Sequence, residues 1–130
     1  MMLRISLAFF MLLALVSCSL SSNSSSALID SCYDGDTCRT SSGERIRLAC
    51  IDAPELRGKM ADPVRGKAAR DYLRSLVTKR IVGIRRINTD RYGRTVAELF
   101  VGEDNVQQLL VAAGHAEIYK KYANQCSWAL

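Results

Sequence analysis

Asp36, Arg47, Asp52, Glu55 and Arg94 are the side chains whose types and spacing suit them to shared chemistry. Asp36 and Asp52 are hard oxygen donors. The chain has a single histidine, His115, and no Cys-x-x-Cys pair, so the donors suit Ca²⁺ or Mg²⁺ rather than zinc. Two carboxylates, a backbone carbonyl and waters make an open, water-rich site that calcium tolerates well. Glu55 follows Asp52 by three residues, just past Pro54, where it could hold or deprotonate an attacking water. Arg47 and Arg94 carry planar forks that grip phosphate oxygens in pairs and stabilise the charge of a five-coordinate transition state; lysine would bring charge without the fork. Singly, each residue has a plainer reading, such as turn chemistry for Asp34-Gly35 or an ion pair from Arg47 to Glu44 or Glu98. Their order and spacing together favour a site.

These residues need elements to position them. Leu28 to Tyr33 reads as a first strand, and Asp34-Gly35 is a hairpin signal leading into a second strand, Asp36 to Thr40. After a turn at Ser41-Ser42-Gly43, Glu44 to Ile51 alternates as a third strand. It sets Ile46, Leu48 and Cys50 on one face and Arg45, Arg47 and Ala49 on the other, and Pro54 follows as a terminator. If the second strand lies beside the end of the third, the Asp36 and Asp52 carboxylates converge. The period then changes to helical over Val64 to Val77, with Ala69, Tyr72, Leu73 and Leu76 as the apolar stripe. Strands are expected over Arg80 to Ile87 and Arg94 to Val101, and a helix over Asn105 to Ala113 stopped by Gly114. The tail from His115 reads as irregular. The inventory predicts a mainly β (α+β) fold: a five-stranded OB-fold barrel with two or three packed helices.

Three blocks of this sequence resemble the signature of the staphylococcal-nuclease (thermonuclease) family: Asp34-Gly35-Asp36-Thr37, Arg47-Leu48 followed by Ile51-Asp52-Ala53-Pro54-Glu55, and Asp90-Arg91-Tyr92-Gly93-Arg94. The similarity runs from about Ile29 to Tyr122. It implies the same barrel and a calcium-dependent phosphodiesterase that cuts DNA and RNA. By this resemblance Asp36 and Asp52 are calcium carboxylates and Ala53 supplies a backbone carbonyl ligand. Arg47, Glu55 and Arg94 are catalytic, and Tyr92 contacts a terminal phosphate. Tyr119 or Tyr122 would give a stacking platform for a base. Ala53 stands where the best-known members have threonine. Those members continue into a further helix beyond the point where this sequence reaches Leu130.

The first residues give an address. Arg4 precedes an apolar run from Ile5 to Val16, too short for a membrane span but right for a signal-peptide core. Leu15-Val16-Ser17-Cys18 resembles the lipobox of bacterial lipoproteins, which implies lipidation at Cys18. Residues 1–17 are therefore expected to be a signal peptide, 18–27 a serine-rich tether and 28–130 the folded domain. An exported, lipid-anchored protein of the cell envelope follows, on the outer membrane if the cell is Gram-negative, facing periplasm or exterior. Cys32, Cys38, Cys50 and Cys126 then allow up to two disulfides in three connectivities. A three-residue hairpin loop would oppose Cys32 and Cys38, whereas a two-residue turn would not. Cys50 is the first candidate partner for Cys126.

The chain carries a net charge of +5, and its arginines cluster on the expected strands and turns, which favours a polyanionic partner. The sequence thus predicts a monomeric, calcium-dependent nuclease acting on DNA and/or RNA outside the cytoplasm. The alternative is a barrel of the same fold that binds nucleic acid or protein without cutting.

Overall fold

The computed structural model describes residues 25–130. The expected signal segment, Cys18 and the tether as far as Ser24 lie outside the described residues. Strands β1 (Ser25–Cys32), β2 (Thr37–Thr40) and β3 (Arg45–Leu48) form an antiparallel meander. A short strand β4 (Ile51–Asp52) and helix α1 (Pro63–Val77) follow. Strands β5 (Ile81–Thr89), β6 (Thr95–Val101) and β7 (Asp104–Asn105) extend the sheet in the order β3-β2-β1-β5-β6-β7. A parallel pairing of β3 with β6 closes it into a barrel, with Ile46 opposite Thr95 and Arg47 opposite Val96. Helix α2 (Val106–Ala112), strand β8 (Glu117–Ile118) and two 3₁₀ turns, Lys120–Gln125 and Ser127–Ala129, complete the chain. The expected five-stranded OB-fold barrel with packed helices is what forms.

Several boundaries differ from expectation, three of them for a tertiary reason. The first strand begins at Ser25, so Ser25 to Ala27 are strand and not tether: they pair with Val82 to Ile84, and the Ser25 hydroxyl donates to the Ile84 carbonyl at 2.7 Å. A serine run has no apolar pattern to announce a strand, and the partner strand supplies the order. The third strand breaks after Leu48. Cys50 takes a positive φ of 67° and is bonded through sulfur to Cys126. Ala49 and Cys50 therefore both turn into a second small core with Cys126 and Ala129, while Ile51 returns to the main core. The strict alternation expected over Glu44–Ile51 ends there. The hairpin from β1 to β2 carries three residues, Asp34 to Asp36, between Tyr33 and Thr37, whose backbones bond at 2.9 Å. Cys32 and Cys38 are consequently opposite each other and form the second disulfide.

The main core lies inside the barrel under α1 and joins Ile29, Ile46, Leu48, Leu73, Val82, Leu99 and Leu110. Helix α1 starts one residue earlier than expected because Pro63 suits the first helical position. The Asp62 side chain accepts the Arg65 N–H and caps it. Its Gly66, Ala69, Leu73 and Val77 are buried, whereas Tyr72 and Leu76, expected on the stripe, sit at its margin.

Candidate active site

Two loops and the barrel seam build the site. Asp36 leaves the β1–β2 hairpin buried. Its Oδ2 accepts the Ala53 N–H at 3.0 Å and its Oδ1 accepts the Thr37 hydroxyl at 3.2 Å. Asp34 accepts the Asp36 N–H at 3.0 Å and so orients it. The Asp34-Gly35 pair is there for more than a turn. Gly35 does not take a positive φ; a Cβ on it would lie 2.7 Å from the Cβ atoms of both Ala53 and Ala69. It is glycine because the hairpin is pressed against the Asp52–Pro54 turn and α1. Gly66 of α1 plays the same part against Pro54 and Glu55, where a Cβ would lie 2.9 Å from the Pro54 carbonyl oxygen.

Arg47 stands between the carboxylates. One Nη donates to the carbonyls of Leu48 (2.8 Å) and Ile51 (3.0 Å) and lies 3.4 Å from Asp36, while the other lies 3.7 Å from Asp52. The break at Cys50 turns the Ile51 carbonyl back towards the Arg47 side chain, so the strand's irregularity and the arginine's orientation are one feature. One guanidinium does not balance the acids. Burial, then Asp36, push the Asp34 carboxyl up to about 6, and burial and Asp36 also raise Asp52. Glu55 is exposed beside them, adds its charge to the field at Asp52, and has no ion-pair partner among the described residues.

Arg94 reaches the same place through the barrel seam. It immediately precedes Thr95, the residue paired with Ile46, so β3–β6 closure brings it near Arg47 from 47 positions away. Asp90 holds it: one carboxylate oxygen accepts the backbone N–H groups of Tyr92 and Arg94, and the other accepts Arg94 Nε at 2.7 Å. Burial raises Asp90, but these hydrogen bonds together outweigh it and hold the carboxyl below its usual range. Arg47, Arg94, Tyr92, Tyr119 and Tyr122 line one cleft of about 620 Å³. Tyr92 is exposed, with the Arg91 and Arg94 guanidinium carbons 4.8 and 5.3 Å from its ring centroid. Tyr119 and Tyr122 meet edge to face at 5.1 Å.

The tail that carries these tyrosines is tied to the barrel at several points. The Tyr119 N–H donates to the Cys50 carbonyl, β8 pairs with β4, and Cys126 bonds Cys50. The buried Glu98 carboxylate receives Trp128 Nε1 at 2.5 Å, Arg85 Nε at 2.6 Å and Asn105 Nδ2 at 3.1 Å. Composition gave no sign of Glu98, which alternation puts on the outer face of β6. Asp34, Asp90, Gly35 and Gly66 were also not singled out as site residues. Only the Asp-x-x-Gly-Arg spacing at Asp90 hinted at a turn that fixes an arginine.

For a metal, the donors are Asp36, Asp52 and the Ala53 carbonyl. Among the described residues no group of three or more His, Cys, Asp or Glu is gathered as a cage. The set still fits a hard cation with a mostly aqueous shell, because burial and the neighbouring Asp36 charge raise Asp52, which a bound cation would offset, and all the donor atoms are oxygen.

With this geometry the chain can be set beside known proteins. The chain is 38% identical over 93 residues to an "Uncharacterized endonuclease" of Escherichia coli O157:H7, covering 68% of this chain and 58% of that protein. It is 35% identical over 95 residues to an "Uncharacterized endonuclease" of Haemophilus influenzae, covering 70% and 51%. A "Staphylococcal-like nuclease" of Arabidopsis thaliana is 34% identical over 87 residues, covering 65% and 25%. The matched segment thus spans a little over half the length of the two bacterial relatives. The family model described as "Staphylococcal nuclease homologue" matches residues 45–128, from the first residue of β3 into the tail that Glu98 anchors. By that match and by its barrel, this chain belongs to the staphylococcal nuclease family.

Proposed function

We propose that this protein is a calcium-dependent nuclease that hydrolyses phosphodiester bonds of DNA and/or RNA outside the cytoplasm. The observation that carries the reading is the β3–β6 seam, which gathers Arg47 and Arg94 on one cleft while Arg47 also borders Asp36 and Asp52. A phosphate in the cleft meets two guanidinium groups held in advance, one by main-chain carbonyls and one by Asp90, so little reorganisation remains at the moment of reaction. Glu55, exposed and with no cationic partner among the described residues, holds a water and accepts its proton as the oxygen attacks phosphorus. The bond from phosphorus to the leaving ester oxygen then breaks, and the two arginines stabilise the charge on the remaining phosphate oxygens. Asp36, Asp52 and the Ala53 carbonyl would hold Ca²⁺, which when bound supplies positive charge beside the scissile phosphate.

Export and a lipid anchor at Cys18 belong to the same proposal. The lipobox-like sequence supports them, as do the two disulfides of an oxidising compartment. The test is cleavage of single-stranded DNA and RNA by the purified protein in Ca²⁺ and in chelator. Cleavage in Ca²⁺ and none in chelator is expected. Binding without cleavage in Ca²⁺, or cleavage that persists in chelator, would overturn the calcium-dependent reading.

A further inference from the structure

The outer face of β1–β2–β3 carries two rows of side chains. Tyr33, Thr37 and Arg47 form the row nearest the cleft: the Tyr33 N–H donates to the Thr37 carbonyl, and Thr37 is opposite Arg47. Ser31, Arg39 and Arg45 form the next, through the pairs Ser31–Arg39 and Arg39–Arg45. Two exposed arginines therefore stand directly opposite each other, an arrangement that repulsion disfavours. Arg74 of α1 joins them, its Nε donating to the Cys32 carbonyl at 2.9 Å. These three arginines, with Tyr33 58% exposed, line a groove of about 410 Å³ whose lining among the described residues holds no carboxylate. None of the three has an ion-pair partner among the described residues, although most other arginines on strands and helices do.

The groove neighbours the cleft: Arg45 lines the groove and Arg47 the cleft. Arg45 and Arg47 are two residues apart on one face of β3, hence about 6.6–6.8 Å apart along the strand, comparable to neighbouring phosphates on an extended single strand. Arg45 also donates to the Tyr92 carbonyl, in the turn that walls the cleft.

We propose that this groove is a second nucleic-acid subsite, in which Arg39, Arg45 and Arg74 hold phosphates of a single strand leaving the cleft and Tyr33 stacks on one of its bases. It rests on the nuclease reading and adds a length preference to it: longer single strands bind better because they reach a row beyond Arg47. A polyanion there offsets the Arg39–Arg45 repulsion.

The test is fluorescence anisotropy in chelator, with single-stranded oligonucleotides of about 4 and about 16 nucleotides, comparing wild type, Arg39→Glu and Tyr33→Ala. Arg39→Glu should weaken the longer strand about tenfold and leave the shorter within about twofold, with a salt slope shallower by about 0.7 or more. Tyr33→Ala should weaken the longer strand about fivefold or more. Because Arg39→Glu removes a like-charge pair, its Tm should match or exceed the wild type, which shows that the variant is folded. Equal losses at both lengths, no loss, or no binding of either strand would overturn the subsite. So would a loss seen only in flotation with phosphatidylglycerol vesicles, which would make the face a membrane contact. If the length-dependent loss appears but the protein cuts nothing in Ca²⁺, the subsite stands and the catalytic reading falls.

Discussion

Replacing Gly35 with alanine tests whether the hairpin is glycine for packing or for turn geometry. Its φ is not positive, so backbone strain is no obstacle, and alanine would even restrict the unfolded chain, a gain of about 0.4–1 kcal/mol. Packing says otherwise. The new methyl would lie 2.7 Å from the Cβ atoms of Ala53 and Ala69, against the 3.4 Å at which ordinary contact begins. Both neighbours are methyl groups fixed to the backbone, with no rotamer that could yield, so the cost sits near the top of the overpacking range of about 1–3 kcal/mol. The net loss is about 2 kcal/mol, or a fall in Tm of about 8–16 °C for a domain of this size. Thermal and urea unfolding measure it. Ala69→Gly supplies the cross-check. Alone it should destabilise by about 0.5–1 kcal/mol. Combined with Gly35→Ala it should recover about 1 kcal/mol or more relative to the sum of the two. A Tm within about 2 °C of wild type, or strict additivity, would refute the packing argument. Affinity for the proposed Ca²⁺, measured by calorimetric titration, should fall as well, because the same shift moves Ala53 away from Asp36.

Other consequences are as direct. Glu55→Gln should lower kcat by about 10²–10⁴-fold with no change in Tm, since the side chain is exposed and forms no ion pair among the described residues; a twofold loss would remove Glu55 from the base role. Glu98→Leu leaves Trp128, Arg85 and Asn105 without their acceptor and should cost about 2–4 kcal/mol in urea unfolding, with Glu98→Gln costing less. Cys126→Ser opens a closure of 76 residues and should cost about 4 kcal/mol, loosening the tail that carries Tyr119 and Tyr122, so KM should rise in the folded variant. Hydrogen bonds from Arg86 and Thr95 hold the Glu44 carboxyl below its ordinary 4.5. With the folded value depressed, that stabilisation is present above about pH 4.5 and is lost as pH falls through the folded value. The stability gap between wild type and Glu44→Gln should be about 1 kcal/mol or less at pH 6 and close as the pH falls through the depressed folded value.

Much of the fold was legible because its patterns are local. Alternation along Arg45–Leu48, the helical period of Ala69 and Leu73, and Gly114 ending α2 all act over a few residues. Where long-range partners act, local pattern misleads. Ser25 to Ala27 are strand only because β5 offers them a ladder, and Ala49-Cys50 leave the strand because Cys126 pulls on one of them. Gly35 looked like a turn residue because the sequence shows no neighbour from Ala69. Glu98 gave no signal because a carboxylate on the outer face of a strand is ordinary until a tail with Trp128 folds over it.

The candidate site divides in the same way. Residue chemistry nominates the candidates: two aspartates and a glutamate with oxygen donors, and two arginines with forked guanidinium groups at recognisable spacing. Spacing within the chain could not settle which of them meet. Arg94 comes to Arg47 only because β3 pairs in parallel with β6, a contact that neither strand's own pattern encodes. Which cysteine reaches Cys126, and so whether Tyr119 and Tyr122 face the cleft, is likewise decided by closure of the barrel and not by alternation. Side-chain type sets what a group can do to a phosphate. Only the closed sheet sets how far it stands from its partners.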